Sequence, residues 1–202
     1  PTLLGFETVR ATLERCEFSN VVPIPAAFEH DMAYTDAVPM LRRLQVLARE
    51  HGRCFGVKLS NTLAVRNTRG VLPGEEMYLS GRALFPLTIR LAAQLARDVD
   101  GALPLSFSGG AYAGNIAALA AAGVQPITVA TDLLKPGGYY RLTQMAAALE
   151  AAAGAWQDRD GIDVAALAAL ADAAPDAPAY RRSTRAGASL KIARRIPLLD
   201  CY

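Results

Sequence analysis

Three short stretches of this chain carry residue types suited to holding an anion or a planar ring. Ser108-Gly109-Gly110 follows the apolar run Leu103 to Phe107, and glycines there free backbone N–H groups to approach a negative charge. One apolar run later, Thr128-Val129-Ala130-Thr131 offers hydroxyls and further amides, so the two turns together read as a phosphate cradle, or separately as two bare turns. Upstream, Ser80-Gly81-Arg82 precedes Phe85-Pro86: Gly81 suits a second anion contact, while Arg82 reads more simply as a solvated helix cap.

Lys58-Leu59-Ser60-Asn61-Thr62 also closes an apolar run. An amide such as Asn61 can read the edge of a heterocycle, and Lys58 can stabilise a reduced, anionic ring; the plainer reading is an exposed strand-end lysine and a turn asparagine. Lys135-Pro136-Gly137-Gly138 is either a flap over the phosphate or a turn. His30 and His51 are the two histidines, and His51, next to Gly52, is placed to offset a helix dipole. No barrel segment shows metal-ligand spacing.

Elements that could position these groups alternate along the chain. Phe6, Val9, Leu13 and Cys16 fall at helical spacing, as do Val38, Leu41, Leu44 and Leu47, then Leu87, Leu91, Leu95 and Val99. Helices are also expected over 115–122 and 139–153, with Trp156 packing a helix end. Short β-rich runs over 20–24, 54–59, 103–107 and 126–130 read as strands, and 62–77, rich in Gly, Pro, Arg and Asn, as a long functional loop. Four β-then-α units in series require parallel strands joined by right-handed crossovers. The expected fold class is therefore α/β, the C-terminal half of a TIM (β/α)8-type barrel over residues 1–157, with an open doubly wound sheet as the alternative. In such barrels the loops after the last two strands commonly bind phosphate. Residues 158–202 read as an Ala-rich helix, Val164 to Ala173, followed by a basic linker and an extended arm from Leu190 onward.

Bulk properties narrow the partners. With 21 Lys and Arg against 19 Asp and Glu, the net charge of +2 selects none. The arginines and lysine at 181, 182, 185, 191, 194 and 195 crowd the tail, but only Tyr180 accompanies them, so a solvated or interdomain surface is expected rather than a nucleic-acid site. No segment has the length and apolarity of a membrane span, and no secretory leader is visible. Three widely spaced cysteines, Cys16, Cys54 and Cys201, form no disulfide framework, which points to a reducing, cytoplasmic compartment. A chain that starts at Pro1 and stops one residue after a cysteine looks cut from a longer one; a half barrel is expected to cover its strand edges with the rest of that chain or with a second copy.

The order of Asn61-Thr62, Ser80-Gly81-Arg82-Ala83-Leu84-Phe85-Pro86, Ser108-Gly109-Gly110 and Ala130-Thr131 resembles the barrel of dihydroorotate and dihydropyrimidine dehydrogenases, over about Gly56 to Leu142. Phe55-Gly56-Val57-Lys58-Leu59, Leu72-Pro73-Gly74-Glu75-Glu76-Met77-Tyr78, Leu134-Lys135-Pro136-Gly137-Gly138 and Asp36-Ala37-Val38-Pro39-Met40 resemble the selenate reductase subunit family of large, glutamate-synthase-like iron–sulfur flavoproteins, across nearly the whole chain. The resemblance implies FMN in the barrel, with Gly81, Ser108, Gly109, Gly110, Ala130 and Thr131 at its phosphate and Asn61 with Thr62 at the ring or substrate. Lys58 matches the flavin-ring lysine by local pattern but not by strand order. FAD, iron–sulfur clusters, a pyridine nucleotide and a small oxidised substrate are implied for other domains, with Cys201 as the first cluster ligand. The family's catalytic base falls on no residue here. Where the dehydrogenases have Gly-Thr-Ala, this chain has Ala130-Thr131-Asp132, an acid beside the expected phosphate. The alternatives are a cofactor-free scaffold that docks electron-transfer domains and, third, a sugar-phosphate isomerase or lyase, for which no Lys, Glu or His constellation is found.

Overall fold

The run Leu105–Ser108 is the central strand of the architecture, with Leu105 and Phe107 buried. A computed structural model describes residues 1–68, 70, 73–157 and 161–182. In it β1 (Val57–Leu59), β4 (Leu105–Ser108) and β5 (Ile127–Thr128) form a parallel sheet in that order, with Leu59 opposite Phe107 and Phe107 opposite Ile127. Each strand neighbours the next in the chain, as barrel strands do, whereas a doubly wound sheet reverses its order at a switch point. The fold is α/β, a partial barrel.

The helices are α1 (Phe6–Arg15), α2 (Ala26–Glu29), α3 (Tyr34–Glu50), α4 (Phe85–Asp98), α5 (Ile116–Ala121), α6 (Tyr140–Ala151), α7 (Ala153–Trp156) and α8 (Val164–Ala173). α4 connects β1 to β4 and α5 connects β4 to β5. α4 is the keystone: Leu87, Ile89, Leu91, Leu95 and Ala96 are buried, against β1, β4, α1 and above all α8. Leu167 of α8, Ala174 and Tyr180 join the same core, so 164–180 is built into the barrel wall rather than hung from it.

Two expectations need correction. Residues 20–24 are not a fourth parallel strand. Pro23 makes a single antiparallel bridge to Val65, flanked by Arg66 N–H donating to the Val22 carbonyl and Ile24 N–H to Ala64. Pro23 and Pro25 remove the donors a central strand would need, so the segment lies against an edge. Nor is 62–77 one long loop. β2 (Leu63–Arg66) and β3 (Glu76–Leu79) pair antiparallel, Leu63 opposite Leu79, and bury Leu63, Val65 and Leu79 on one side. The extended arm and Cys201 lie outside the described residues.

Candidate functional site

The sheet places the C-terminal ends of β1, β4 and β5 side by side, and the return of the β2–β3 hairpin brings Ser80 to the same rim. Between them is a cavity of about 270 Å³. Asn61 and Thr62 line it from the end of β1, and Ser108, Gly109 and Gly110 from the end of β4. Ala130 and Thr131 line it after β5, and Gly81 from the turn before α4. Eight of the nine ligand positions read from sequence therefore share one concavity. Lys58 does not. It is exposed in mid-β1, opposite Ser106, and borders a separate apolar hollow with Asp31, Met32 and Leu41.

The glycines are explained by packing first. A Cβ on Gly109 would collide with Thr88 Oγ1 of α4, and one on Gly110, whose φ is +87°, with the Gly81 carbonyl. Gly81, at φ +67°, would set a Cβ 2.8 Å from Thr131 Cγ2. So Gly110 rests on Gly81 and Gly81 on Thr131: the two turns expected to converge do so through a third. Thr131 Oγ1 donates to Ser80 Oγ at 3.2 Å, and Ser60 Oγ meets Thr88 Oγ1 at 2.8 Å behind the rim. Missing side chains let Gly110 close on the Gly81 backbone, and Gly109 and Gly81 on the Thr88 and Thr131 side chains, where the sequence suggests ligand approach.

What remains open is the polar lining. Gly109 N–H falls in the β4–β5 ladder, but among the backbone hydrogen bonds of the described residues none is donated by the amides of Gly110, Ala111 or Ala130, and all three residues line the cavity. Peptide N–H groups are nearly always paired when enclosed, so these are left for solvent or a ligand. Asp132, 5% exposed, also lines the cavity. Its two oxygens accept from Lys135 Nζ at 3.1 Å and Arg141 Nη1 at 3.2 Å, so its charge is matched twice over from the loop and from α6. Arg82 lines the same space and lays its guanidinium 4.9 Å from the Tyr112 ring centre. No ion pair engages it among the described residues.

Asn115 was missed by sequence reading. Buried at the start of α5, its Oδ1 accepts from Tyr112 N–H at 2.9 Å, and its Nδ2 donates to the Gly110 carbonyl and to Tyr180 Oη, each at 3.1 Å. Tyr180 in turn stacks on Phe85, centroids 4.3 Å apart at 15°. A buried Asn one turn beyond a Gly-Gly was the available signal. His30 and His51 are exposed and line no part of the cavity, while Trp156 donates to the Leu149 carbonyl at 2.9 Å and closes a helix end as expected. No group of three or more His, Cys, Asp or Glu side chains capable of holding a metal ion occurs among the described residues.

Parallel strands whose C-terminal ends surround one cavity define a TIM-type barrel domain. Its relatives define it further: residues 1–182 match the family model described as "Oxidoreductase YgfK, N-terminal TIM-barrel domain", and the chain belongs to that family. It is 47% identical over all 202 residues to the Escherichia coli K12 protein named "Putative oxidoreductase YgfK", and equally to that of E. coli O157:H7. The chain spans 19% of the length of these two relatives. No solved structure matches it. No helix among the described residues is long and apolar enough to cross a membrane.

Proposed function

We propose that this domain binds flavin mononucleotide by its phosphate at the strand-end cavity and serves as the flavin-bearing barrel of a larger oxidoreductase. The observation that carries the reading is the set of cavity-lining amides of Gly110, Ala111 and Ala130 with no carbonyl partner among the described residues, beside an Arg82 that no described carboxylate neutralises. Such a donor set suits a dianion better than any neutral ligand. Asp132 does not oppose it, because Lys135 and Arg141 leave that corner with a net positive charge. A cavity of about 270 Å³ holds a phosphate and part of a polyol arm. The ring would extend towards the rim, where Asn61 and Thr62 are exposed. Flavin, when bound, supplies one- and two-electron transfer; the chain's part is to grip the phosphate and leave the ring accessible.

The finer reading extends to the rest of the protein: a selenate reductase-like, glutamate-synthase-like electron-transfer chain of FAD, iron–sulfur clusters and a pyridine nucleotide, reducing a small oxidised substrate in the cytoplasm. Cys201 would open the cluster motif, and Lys58, away from the cavity, would face another part of the protein rather than the phosphate. Cys16 and Cys54 are free thiols, which suits a reducing compartment.

A cofactor-free scaffold is the second reading, favoured by the glycine contacts with Thr88 and Gly81, which packing alone explains. Chromatography of the flavin released from the purified full-length protein separates the two. FMN at one per chain, distinct from any FAD, is expected, and Arg82→Ala should weaken FMN retention about tenfold, the loss of one charge-assisted hydrogen bond. Full-length protein that carries FAD and no FMN sinks the flavin reading of this barrel.

A further inference from the structure

Asn115 spends its polar capacity on three partners from three places: the Tyr112 amide, the Gly110 carbonyl and the Tyr180 hydroxyl. At 4% exposure, with both amide hydrogens used, it has one low-energy orientation. The consequence falls on the peptide between Gly110 and Ala111. That unit is planar, with its C=O and N–H on opposite sides. Fixing the Gly110 carbonyl on Asn115 therefore fixes Ala111 N–H on the other side, and Ala111 lines the cavity with its amide unclaimed by any carbonyl among the described residues. Gly110, at φ +87°, has the backbone freedom to let this peptide rotate if nothing held it.

Tyr180 keeps Asn115 in place. Its ring lies against Phe85, and the Tyr112 ring meets it edge-on at 6.3 Å. Burial raises its hydroxyl well above the usual phenol range, so it stays neutral. The segment that carries it is fastened to α1: Arg182 N–H donates to the Cys16 carbonyl at 3.1 Å, and Arg181 pairs with Glu17 at 3.2 Å.

We infer that Asn115, held by Tyr180, is a positioning residue that turns the Gly110–Ala111 peptide so that its N–H serves the bound phosphate. Through it the C-terminal segment Pro178–Tyr180 sets the anion affinity of a cavity it does not itself line. This rests on the phosphate reading of the site above.

The test compares FMN with riboflavin, which lacks only the phosphate, on flavin-depleted full-length protein, by fluorescence titration. Asn115→Ala should weaken FMN binding ten- to thirtyfold and leave riboflavin within twofold. Tyr180→Phe, which keeps the ring stack and Asn115's other two bonds, should weaken FMN three- to fivefold, again with riboflavin unchanged. A general structural defect would weaken both ligands together, and that outcome overturns the inference, as does an unaltered FMN affinity in Tyr180→Phe. Should Asn115→Ala fail to fold, Tyr180→Phe alone decides. Wild-type protein that binds FMN no more tightly than riboflavin would instead refute the phosphate site itself.

Discussion

α3 and α4 are alike in sequence, two amphipathic helices of 17 and 14 residues, and opposite in environment. Ten residues of α4 are buried, from Phe85 to Ala96; in α3 only Ala37 is. α4 lies under β1 and β4 and is covered by α8. α3 rests on the core only through half-buried Tyr34, Val38 and Leu41 and adds polar bonds: Tyr34 Oη donates to Asp98 Oδ2 at 2.6 Å, Arg42 to the Asp98 carbonyl and Gln45 to the Ala102 carbonyl. Met40, Leu44, Val46 and Leu47 are left in contact with water. The hydrophobic period announces a helix with an apolar face, but what that face meets is decided by which neighbours the rest of the fold supplies. The cradle is built entirely on the covered side.

Truncation should separate the two helices most strongly. Leu91→Ala in α4 should cost about 2–5 kcal/mol by urea denaturation of the domain, through lost burial and a residual cavity. Leu47→Ala, at a site 50% exposed, should stay within about 0.5 kcal/mol. Equal costs would erase the contrast. A Leu47→Ala cost of several kcal/mol only in the full-length protein would sharpen it, by showing that other residues of the protein cover α3.

Glycines on the two sides should differ by less. Gly109→Ala forces a methyl against Thr88 Oγ1, fully enclosed on α4, and should destabilise by about 1–3 kcal/mol. Adding Thr88→Ala should recover part of that loss, a coupling that a double-mutant cycle reads directly. Gly52, just past α3 at φ +63°, has nothing within 4 Å of a Cβ. Gly52→Asn, which tolerates the left-handed backbone, should cost under about 1 kcal/mol. Additive Gly109 and Thr88 effects would mean that the turn moves away from α4 at no cost.

The same division marks what could be read in advance. The meeting of the two turns at one cavity was legible because its parts are local: a Gly-Gly directly after an apolar run, a Thr directly after the next, at a spacing that one β/α unit imposes. The hairpin β2–β3 was not, since the Gly- and Pro-containing sequence between the two strands outweighed the alternation of Leu63, Ala64, Val65 and Arg66. The bridge at Pro23 was hidden by its β-branched neighbours, which resemble a buried strand until the missing donors are counted. Tyr180 and Asn115 lie 65 residues apart, and no local pattern predicts that one will hold the other. Motifs are legible where neighbours in sequence do the work, and illegible where the work is done by closure of the wall.

The two free cysteines among the described residues report the same difference at the smallest scale. Cys54 is exposed just ahead of β1 on the open side; Cys16 is buried at the end of α1, its Sγ 3.9 Å from the Pro175 carbonyl. Maleimide followed by peptide mapping should modify Cys54 rapidly and Cys16 only on unfolding. Burial pushes the Cys16 thiol up to about 11, against about 8.5 for an ordinary thiol. The native state thus holds this proton where the unfolded chain gives it up. The resulting stability is fully present below about pH 8.5, and it is lost as pH rises through about 11. Cys16→Ala should flatten this part of the alkaline stability profile. Were Cys16 labelled as fast as Cys54 in native protein at pH 8, the segment from Pro175 to Tyr180 would not close over α1. The covered side of the molecule would then be as open as the other.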